Sequence, residues 1–160
     1  MTNEEKAFLD MIAFGEGTLG VSYNGYDALF NDNKVRGKSR IIAGWTENTT
    51  MKHGDKNWLI RLDPKTVTTA GGRYQFLGST WIELNNMVNV AFTKSNQDIT
   101  AIKYVKKNLG NDFDFKINDI TKMISIAKSL GSVWDSFNKK SAKDLFGIYT
   151  DALNLYKFKK

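Results

Sequence analysis

Glu16 follows a predicted helix, at the end where the helix carbonyl groups would raise the pKa of a carboxyl group. Glu16 lies between two glycines in "MIAFGEGTLG", residues 11–20, directly after an apolar run with helical spacing. The carbonyl end of a helix carries partial negative charge, and Phe14 adds apolar surroundings, so both features favour a raised pKa. The glycines would let a large ligand approach. Glu16 is therefore a candidate general acid able to protonate a glycosidic oxygen; the alternative is a solvated residue at a helix end.

A second candidate site is the glycine-rich segment "TTAGGRYQFLGSTW", residues 68–81. Arg73, Tyr74 and Gln75 place planar hydrogen-bonding groups beside flexible backbone, and such groups suit sugars, which need polar partners for their hydroxyls and flat faces for their rings. The segment lacks the Gly-Lys-Ser/Thr ending of a phosphate loop. The alternative is a hairpin strand in which Tyr74 and Phe76 simply pack.

Three other motifs, "YNGYDALF", "SNQD" and "GSVWDSF", contribute four more candidate ligand-binding residues: Tyr26, Asp27, Gln97 and Trp134. Each motif also has a structural alternative. Asp27 could act as a second carboxylate or bind the backbone of its own turn. Asp98 is most simply a helix-start residue, and a tryptophan such as Trp134 is more often in the core than in a binding platform. His53 is interpreted as a loop residue.

Composition narrows the possible chemistry. The 160 residues are 41% apolar and 25% charged, which is ordinary for one soluble domain spanning residues 1–160 with its own core. The absence of cysteine excludes a disulfide framework and a thiolate site. A single histidine gives little support to a multi-histidine metal site or a Ser–His triad, so we expect no metal and no cofactor.

The charge balance indicates an anionic partner. A net charge of +6 is compatible with nucleic acid, anionic lipid or bacterial cell wall. The lysines are scattered without a dense basic stripe, so a solvated basic surface is the alternative. The N-terminus has no basic region followed by a long apolar core, and no apolar run reaches the length of a membrane span. We therefore expect a soluble protein without a signal peptide or stable membrane insertion.

The elements that must position these residues begin with a helix. Thr2 and Glu5 form a capping box, and Gly15 and Gly17 end the helix. Residues 20–76 are glycine-rich, with the strand-like pieces "SRIIAGW", "NWLIRL" and "GRYQFL". We predict a small, irregular antiparallel sheet there, with a turn at Pro64.

From residue 79 onward the apolar spacing is helical again. Four helix starts are predicted from capping residues, and Gly131 closes the third of these helices: Ser79 ahead of Trp81, Leu84 and Val88; Ser95 with Asp98; Asn118 or Asp119; and Ser141 with Asp144. The order predicts an α+β fold that is mostly helical, with a small antiparallel β-rich lobe. We expect a cleft between the two lobes, with Glu16 at their junction. Long polymeric substrates usually bind in such clefts.

Five blocks in order carry a family resemblance. "KAFLDMIAFGEGT", "GYDALF", "LDPKTVTTAGGRYQF", "SNQDITA" and "GSVWDSF" resemble the phage lambda endolysin family of lytic transglycosylases, from about residue 6 to residue 137. The resemblance implies a lysozyme-like fold that cleaves the β-1,4 bond between N-acetylmuramic acid and N-acetylglucosamine in peptidoglycan. It also implies that Glu16 is the catalytic glutamate and that Tyr74 and Gln75 belong to the cleft wall.

Two stretches depart from the family pattern. Residues 28–72 are longer than expected, so the upper lip of the cleft differs. The sequence "DSFNKKSAKD" after Trp134 lacks a glycine- and tyrosine-rich loop. Saccharide contacts made from that loop therefore cannot be carried over.

Three functions are compatible with the sequence. A transglycosylase would use Glu16 alone, whereas a hydrolytic muramidase would add Asp27 or Asp32 to position water. A non-catalytic basic module that binds cell wall or nucleic acid is the third. The resemblance favours a monomeric enzyme whose partner is peptidoglycan rather than nucleic acid. It would gather in the host cytoplasm and act on the periplasmic wall to lyse the cell, although a phage tail component or secreted antibacterial effector fits the same sequence.

Overall fold

The computed structural model describes residues 1–29, 41–54, 60–61, 67–88 and 90–158. Their helices, in chain order, are α1 (Asn3–Gly15), α2 (Gly78–Leu84), α3 (Lys94–Leu109), α4 (Ile120–Leu130), α5 (Ser136–Lys139) and α6 (Ala142–Phe158). A 3-10 helix spans Ser22–Gly25, and the short strands β1 (Ile60–Arg61) and β2 (Val67–Thr68) pair antiparallel, with Ile60 opposite Thr68. Across these ranges, no helix combines the length and apolarity needed to cross a membrane.

The chain divides into two compact units. The first unit comprises Met1–Gly17 and Ala101–Lys160, and the second comprises Thr18–Thr100. The boundary between Thr100 and Ala101 falls inside α3. A single domain over residues 1–160 stays a prediction.

Helix α1 begins and ends as the sequence predicts. The Thr2 hydroxyl accepts a hydrogen bond from the Glu5 N–H at 3.1 Å, and the Glu5 carboxylate accepts one from the Thr2 N–H at 2.8 Å. Both bonds satisfy donors that the first turn would leave without intrahelical partners. At the other end Gly17 has φ +71°, the left-handed conformation that terminates many helices. The capping box and the glycine stop are therefore confirmed.

The first unit packs its core around α1 and α6. Phe8 of α1 is fully buried, and its ring meets the edges of Phe113 and Phe115 at centroid distances of 5.8 and 5.2 Å. Near the end of α6, the Tyr156 hydroxyl donates to Asp10 Oδ2 at 2.7 Å. Apolar burial and this hydrogen bond fix the helix that Glu16 caps.

Two further capping predictions in the first unit are confirmed. Asp119 caps α4 by accepting from the Lys122 N–H at 2.8 Å, and Gly131 follows its last residue. The Ser141 hydroxyl accepts from the Asp144 N–H at 3.0 Å ahead of α6. Helix α5 was not predicted, because a single turn of four residues is too short to show apolar periodicity.

The predicted starts of α2 and α3 are wrong. Helix α2 begins at Gly78, whose N–H donates to the Thr69 hydroxyl at 2.9 Å, so the helix needs no cap from Ser79. Val88 lies beyond the end of α2. Thr93, rather than Ser95, caps α3 by accepting from the third helical N–H at 3.1 Å.

The segment "GRYQFL" forms a turn, so the strand prediction for it is wrong. Gly71 and Phe76 exchange hydrogen bonds in both directions at 3.0 Å around the turn. Gly72 at φ +76° and Gln75 at φ +49° reverse the chain. Extended pairing in the described part of residues 20–76 is limited to β1, β2 and isolated bridges, so a β-rich lobe is not confirmed. The predicted turn at Pro64 lies outside the described residues.

His53 lies in a turn, but its ring is buried in the core of the second unit. The ring meets Phe92 edge-on at 4.8 Å and stacks on Trp81 at 6.0 Å. Its Nε2 lies 2.7 Å from the Phe76 carbonyl oxygen. Burial lowers the pKa of His53 to about 4, even though the carbonyl favours the charged form.

This burial predicts acid sensitivity. An unfolded chain holds a histidine pKa near 6.5, so between pH 6.5 and pH 4 the unfolded state binds more protons than the folded state. The free energy of unfolding should therefore be fully present above pH 6.5 and fall by up to about 3 kcal/mol as the pH drops to 4. Urea unfolding at several pH values measures this loss. The His53→Gln variant keeps an N–H donor without titrating, and an unchanged pH slope in it would contradict the assignment.

Candidate active site

Glu16 is half-buried at the end of α1 and is held by a residue far away in sequence. It caps the helix through its own N–H, which donates to the Ile12 carbonyl oxygen at 2.9 Å. Its side-chain Oε1 accepts a hydrogen bond from the hydroxyl of Ser136, the first residue of α5. Trp134 and Phe137 are buried on either side of Ser136 and anchor this short helix. Two elements of the first unit thus fix the carboxyl group.

The pKa of Glu16 is raised, as the sequence predicts, and the main cause is loss of hydration rather than the charge of the helix end. Loss of hydration by burial is the largest cause. The Ser136 hydrogen bond and the positive charge of Lys139 lower this pKa, and the negative charge of Asp135 raises it. Lys139, at the end of α5, also forms an exposed ion pair with Asp135, the residue just before this helix. Burial outweighs the stabilising contacts, so the carboxyl group holds its proton more tightly than an exposed glutamate does.

The two glycines beside Glu16 have different roles. A Cβ at Gly15 would lie 3.0 Å from the Ser136 hydroxyl oxygen, so the space at Gly15 admits Ser136 rather than a ligand. A Cβ at Gly17 would meet no described atom within 4 Å, although its φ of +71° already favours glycine. The expectation that both glycines leave room for a ligand is therefore wrong at Gly15.

In the second unit, Asp98 is a buried acceptor rather than a helix-start residue. The hydroxyls of Tyr26 and Tyr74 both donate to Asp98 Oδ1, at 2.7 and 2.6 Å. Burial raises the pKa of Asp98, while the two phenols and the Arg73 guanidinium lower it. Arg73 lies over the rings of Tyr26 and Tyr74 at 5.2 and 6.0 Å and donates to the Asn24 carbonyl. These side chains form one polar network inside the unit.

Gln97 ties the same network to the backbone of the "GGRYQ" turn. Its Oε1 accepts from the Arg73 N–H at 3.0 Å, and its amide group donates to the carbonyl oxygens of Tyr26 and Phe92 at 2.9 and 3.2 Å. A Cβ at Gly72 would lie 2.3 Å from Gln97 Oε1, so only glycine fits there. Gln97 therefore holds the turn in place.

Within the second unit, the structure brings four of the predicted ligand-binding residues together around Asp98. The group around Asp98 consists of Tyr26, Arg73, Tyr74 and Gln97, and all four are buried. Gln75 is half-buried, with its amide donating to the Gly72 carbonyl at 2.9 Å. Asp27 is buried in the second unit, and Trp134 is buried in the first, where Tyr104 meets it edge-on at 5.2 Å. Direct saccharide contacts by these residues stay predictions, and Asp32 lies outside the described residues.

Sequence reasoning missed two features of these sites. The Ser136–Glu16 contact joins residues 120 positions apart, and nothing in the spacing of either segment signals it. Tyr23, in the "YNGYDALF" motif, is 60% exposed with φ +43°, a strained conformation for an aromatic residue, and the motif does not signal either feature. Within the described ranges, no group of three or more metal-ligating side chains is assembled.

Solved structures share this architecture. Bacteriophage lambda lysozyme complexed with a chitohexasaccharide aligns with a TM-score of 0.70 and 26% identity, covering 95% of each chain. A second structure, lysozyme from bacteriophage lambda, aligns with a TM-score of 0.65 and 24% identity over 95% of each chain, and shows the fold alone. The protein therefore has the lambda lysozyme-like, mostly helical fold.

Sequence comparison defines the family. The Endolysin family model matches residues 6–157. The endolysin of Escherichia phage lambda is 32% identical over 108 residues, which are 67% of this chain and 62% of that protein. The chain thus belongs to the Endolysin family, and the aligned part spans less than two thirds of this relative.

The Asp98 network predicts a stability loss when the acceptor is removed. Asp98→Ala should leave two buried phenols without their acceptor and lower the free energy of unfolding by about 2–4 kcal/mol. Asp98→Asn, which keeps an acceptor oxygen, should lose less. Urea denaturation measures both, with Asp151→Ala on the exposed face of α6 as the control. Equal stability of Asp98→Ala and the control would show that the network contributes nothing.

Proposed function

We propose that this chain degrades peptidoglycan by cleaving the β-1,4 bond between N-acetylmuramic acid and N-acetylglucosamine. The observation that carries the proposal is a single glutamate, Glu16, half-buried at the end of α1 with a raised pKa. A carboxyl group that keeps its proton at higher pH can protonate a glycosidic oxygen. Membership of the Endolysin family and the likeness to a lysozyme complexed with a chitohexasaccharide support a glycan substrate.

The proposed reaction is a lytic transglycosylation in which Glu16 acts twice. Its protonated carboxyl donates the proton to the oxygen of the leaving N-acetylglucosamine as the bond from that oxygen to C1 breaks. The resulting carboxylate then removes the proton of the muramic acid 6-hydroxyl, whose oxygen bonds to C1. The product is a 1,6-anhydro sugar, Glu16 regains its proton and no water is consumed. One carboxylate is enough, whereas hydrolytic glycosidases normally use two.

The residues of the second unit are assigned different roles according to how far each side chain is buried. Tyr74 and Gln97 have no exposed surface, and Tyr26 and Arg73 have very little, so we assign them to holding the turn rather than touching sugar. Gln75 is half-buried and is the member of this turn proposed to contact saccharide hydroxyls. Asp27 is only 2% exposed, so the same burial argues against its positioning water for hydrolysis.

The cellular role follows from the proposed chemistry. Degrading the wall would lyse the host bacterium, with the enzyme gathering in the cytoplasm as a monomer before it reaches the periplasmic wall. The net charge of +6 would attract it non-specifically to an anionic wall, and such attraction weakens as salt rises. Attraction to the wall would account for the positive charge without a nucleic-acid partner.

Replacing the acid tests the proposal directly. Glu16→Gln keeps the shape of the side chain but cannot donate a carboxyl proton, so cleavage should fall by at least about 100-fold. Purified peptidoglycan is incubated with each protein, and the released muropeptides are weighed by mass spectrometry. Glu83→Gln, an exposed glutamate on α2, is the matched control and should cleave as wild type does.

The masses of the products separate the alternatives. Anhydro ends released by wild type and the control support transglycosylation. Reducing ends, which are 18 Da heavier, would instead establish a hydrolytic muramidase. Inactivity of all three proteins, with binding to the wall retained, would mean a non-catalytic wall-binding module.

The pH dependence of the reaction is a separate prediction. A general acid works only while protonated, so the rate should be lost as the pH rises through the pKa of Glu16, which burial places above the usual 4.5. The measurement is kcat on soluble glycan strands across a pH series. A descending limb centred at or below pH 4.5 would contradict the raised pKa.

A further inference from the structure

The hydroxyl of Ser136 lies against one oxygen of the Glu16 carboxyl group. We infer that Ser136 is a positioning residue that decides which oxygen of Glu16 carries the transferable proton. This inference rests on the proposed role of Glu16 as general acid. Its basis is the hydrogen bond from Ser136 Oγ to Glu16 Oε1, within one compact unit of the chain.

The direction of this hydrogen bond has a chemical consequence. Ser136 donates, so Oε1 is the acceptor and the acidic proton of Glu16 resides on Oε2. When that proton passes to the glycosidic oxygen, Oε1 belongs to a carboxylate, and the same bond becomes charge-assisted and stronger. Ser136 keeps its own proton throughout, and no covalent bond forms or breaks at its side chain. The contact therefore stabilises the state that exists after proton transfer.

The surrounding packing holds Ser136 in this position. The Ser136 carbonyl oxygen accepts a hydrogen bond from the Lys140 N–H at 3.0 Å, and the Phe137 N–H donates to the Trp134 carbonyl oxygen at 2.9 Å. Trp134 and Phe137 are 4% and 3% exposed, so α5 cannot shift without opening the core. The missing Cβ at Gly15 leaves the space that the hydroxyl occupies. Ser136 is thus fixed from both helices.

The charged groups near Glu16 cannot substitute for this contact. Lys139 at the end of α5 and Asp135 just before this helix act on the pKa of Glu16 in opposite directions and pair with each other in solvent. Lys140 places its ammonium group 5.0 Å from the centre of the ring of Phe14, two residues before Glu16 in sequence. Exposed charges are screened by salt, whereas a half-buried hydrogen bond persists. The effect of Ser136 should therefore be independent of ionic strength.

Removing the hydroxyl tests the inference. Ser136→Ala should lower kcat on soluble glycan strands by about 10- to 100-fold, which is the loss of a hydrogen bond to a charged group, while KM stays unchanged. The descending limb of kcat should move to higher pH, because the carboxylate loses a stabilising donor. Ser136→Thr restores a hydroxyl and should restore both kcat and the limb. Ser132→Ala is the matched control, since the Ser132 hydroxyl is exposed and donates to the Ser129 carbonyl at 3.2 Å.

Titration of the Glu16 carboxyl by carbon-13 NMR gives a readout that does not need activity. A higher pKa in Ser136→Ala than in wild type and in Ser132→Ala supports the inference. An unchanged pKa, or a lower kcat with an unmoved pH limb, would overturn it, because a merely structural serine would behave in that way. If Glu16→Gln proves as active as wild type, the proposed function fails, and that outcome is distinct from an inactive Glu16→Gln beside an unaffected Ser136→Ala.

Discussion

The balance between burial and hydrogen bonding at one carboxyl group is the constraint on which the first unit's chemistry depends. A half-buried carboxylate loses hydration, and this loss raises the pKa of Glu16. A single hydroxyl from Ser136 recovers part of the lost stabilisation. This balance holds only while α1 and α5 keep their positions, and the packing of α1 on α6, together with buried Trp134 and Phe137, keeps them there. A core that is otherwise structural thereby sets the proton affinity of Glu16.

The second unit also contains a buried carboxyl group, that of Asp98, but its surroundings differ from those of Glu16. Asp98 is also buried, but two phenols donate to the same oxygen and Arg73 lies nearby, so the carboxylate belongs to a connected network. In a low-dielectric interior a polar network is costly unless its groups are hydrogen-bonded. Arg73 and Gln97 are buried and bonded to each other, and this bond stabilises the turn that carries Gln75. Arg73 and Gln97, whose residue types suit sugar binding, both hydrogen-bond to backbone groups in this unit.

The accuracy of the sequence-based predictions follows the range of the interactions involved. The caps at Thr2, Asp119 and Ser141 are confirmed because each hydroxyl or carboxylate bonds a donor three residues away. Helix α2 was misplaced because its first N–H bonds Thr69, nine residues earlier. At α3 either Thr93 or Ser95 could serve as the cap, and local spacing does not choose between them. The lysozyme-like fold and the family were predictable because ordered motifs carry that information.

The sequence by itself determined that a glutamate ends the first helix between two glycines, that its pKa is raised, and that the chain belongs to the Endolysin family. Only the tertiary structure decided that burial is the main cause of the raised pKa, and that the space at Gly15 admits the side chain of Ser136. Burial is a property of the folded core, and Ser136 reaches Glu16 across 120 residues of chain. Local spacing describes neighbours along the backbone, whereas desolvation and long-range hydrogen bonds depend on atoms that folding alone brings together.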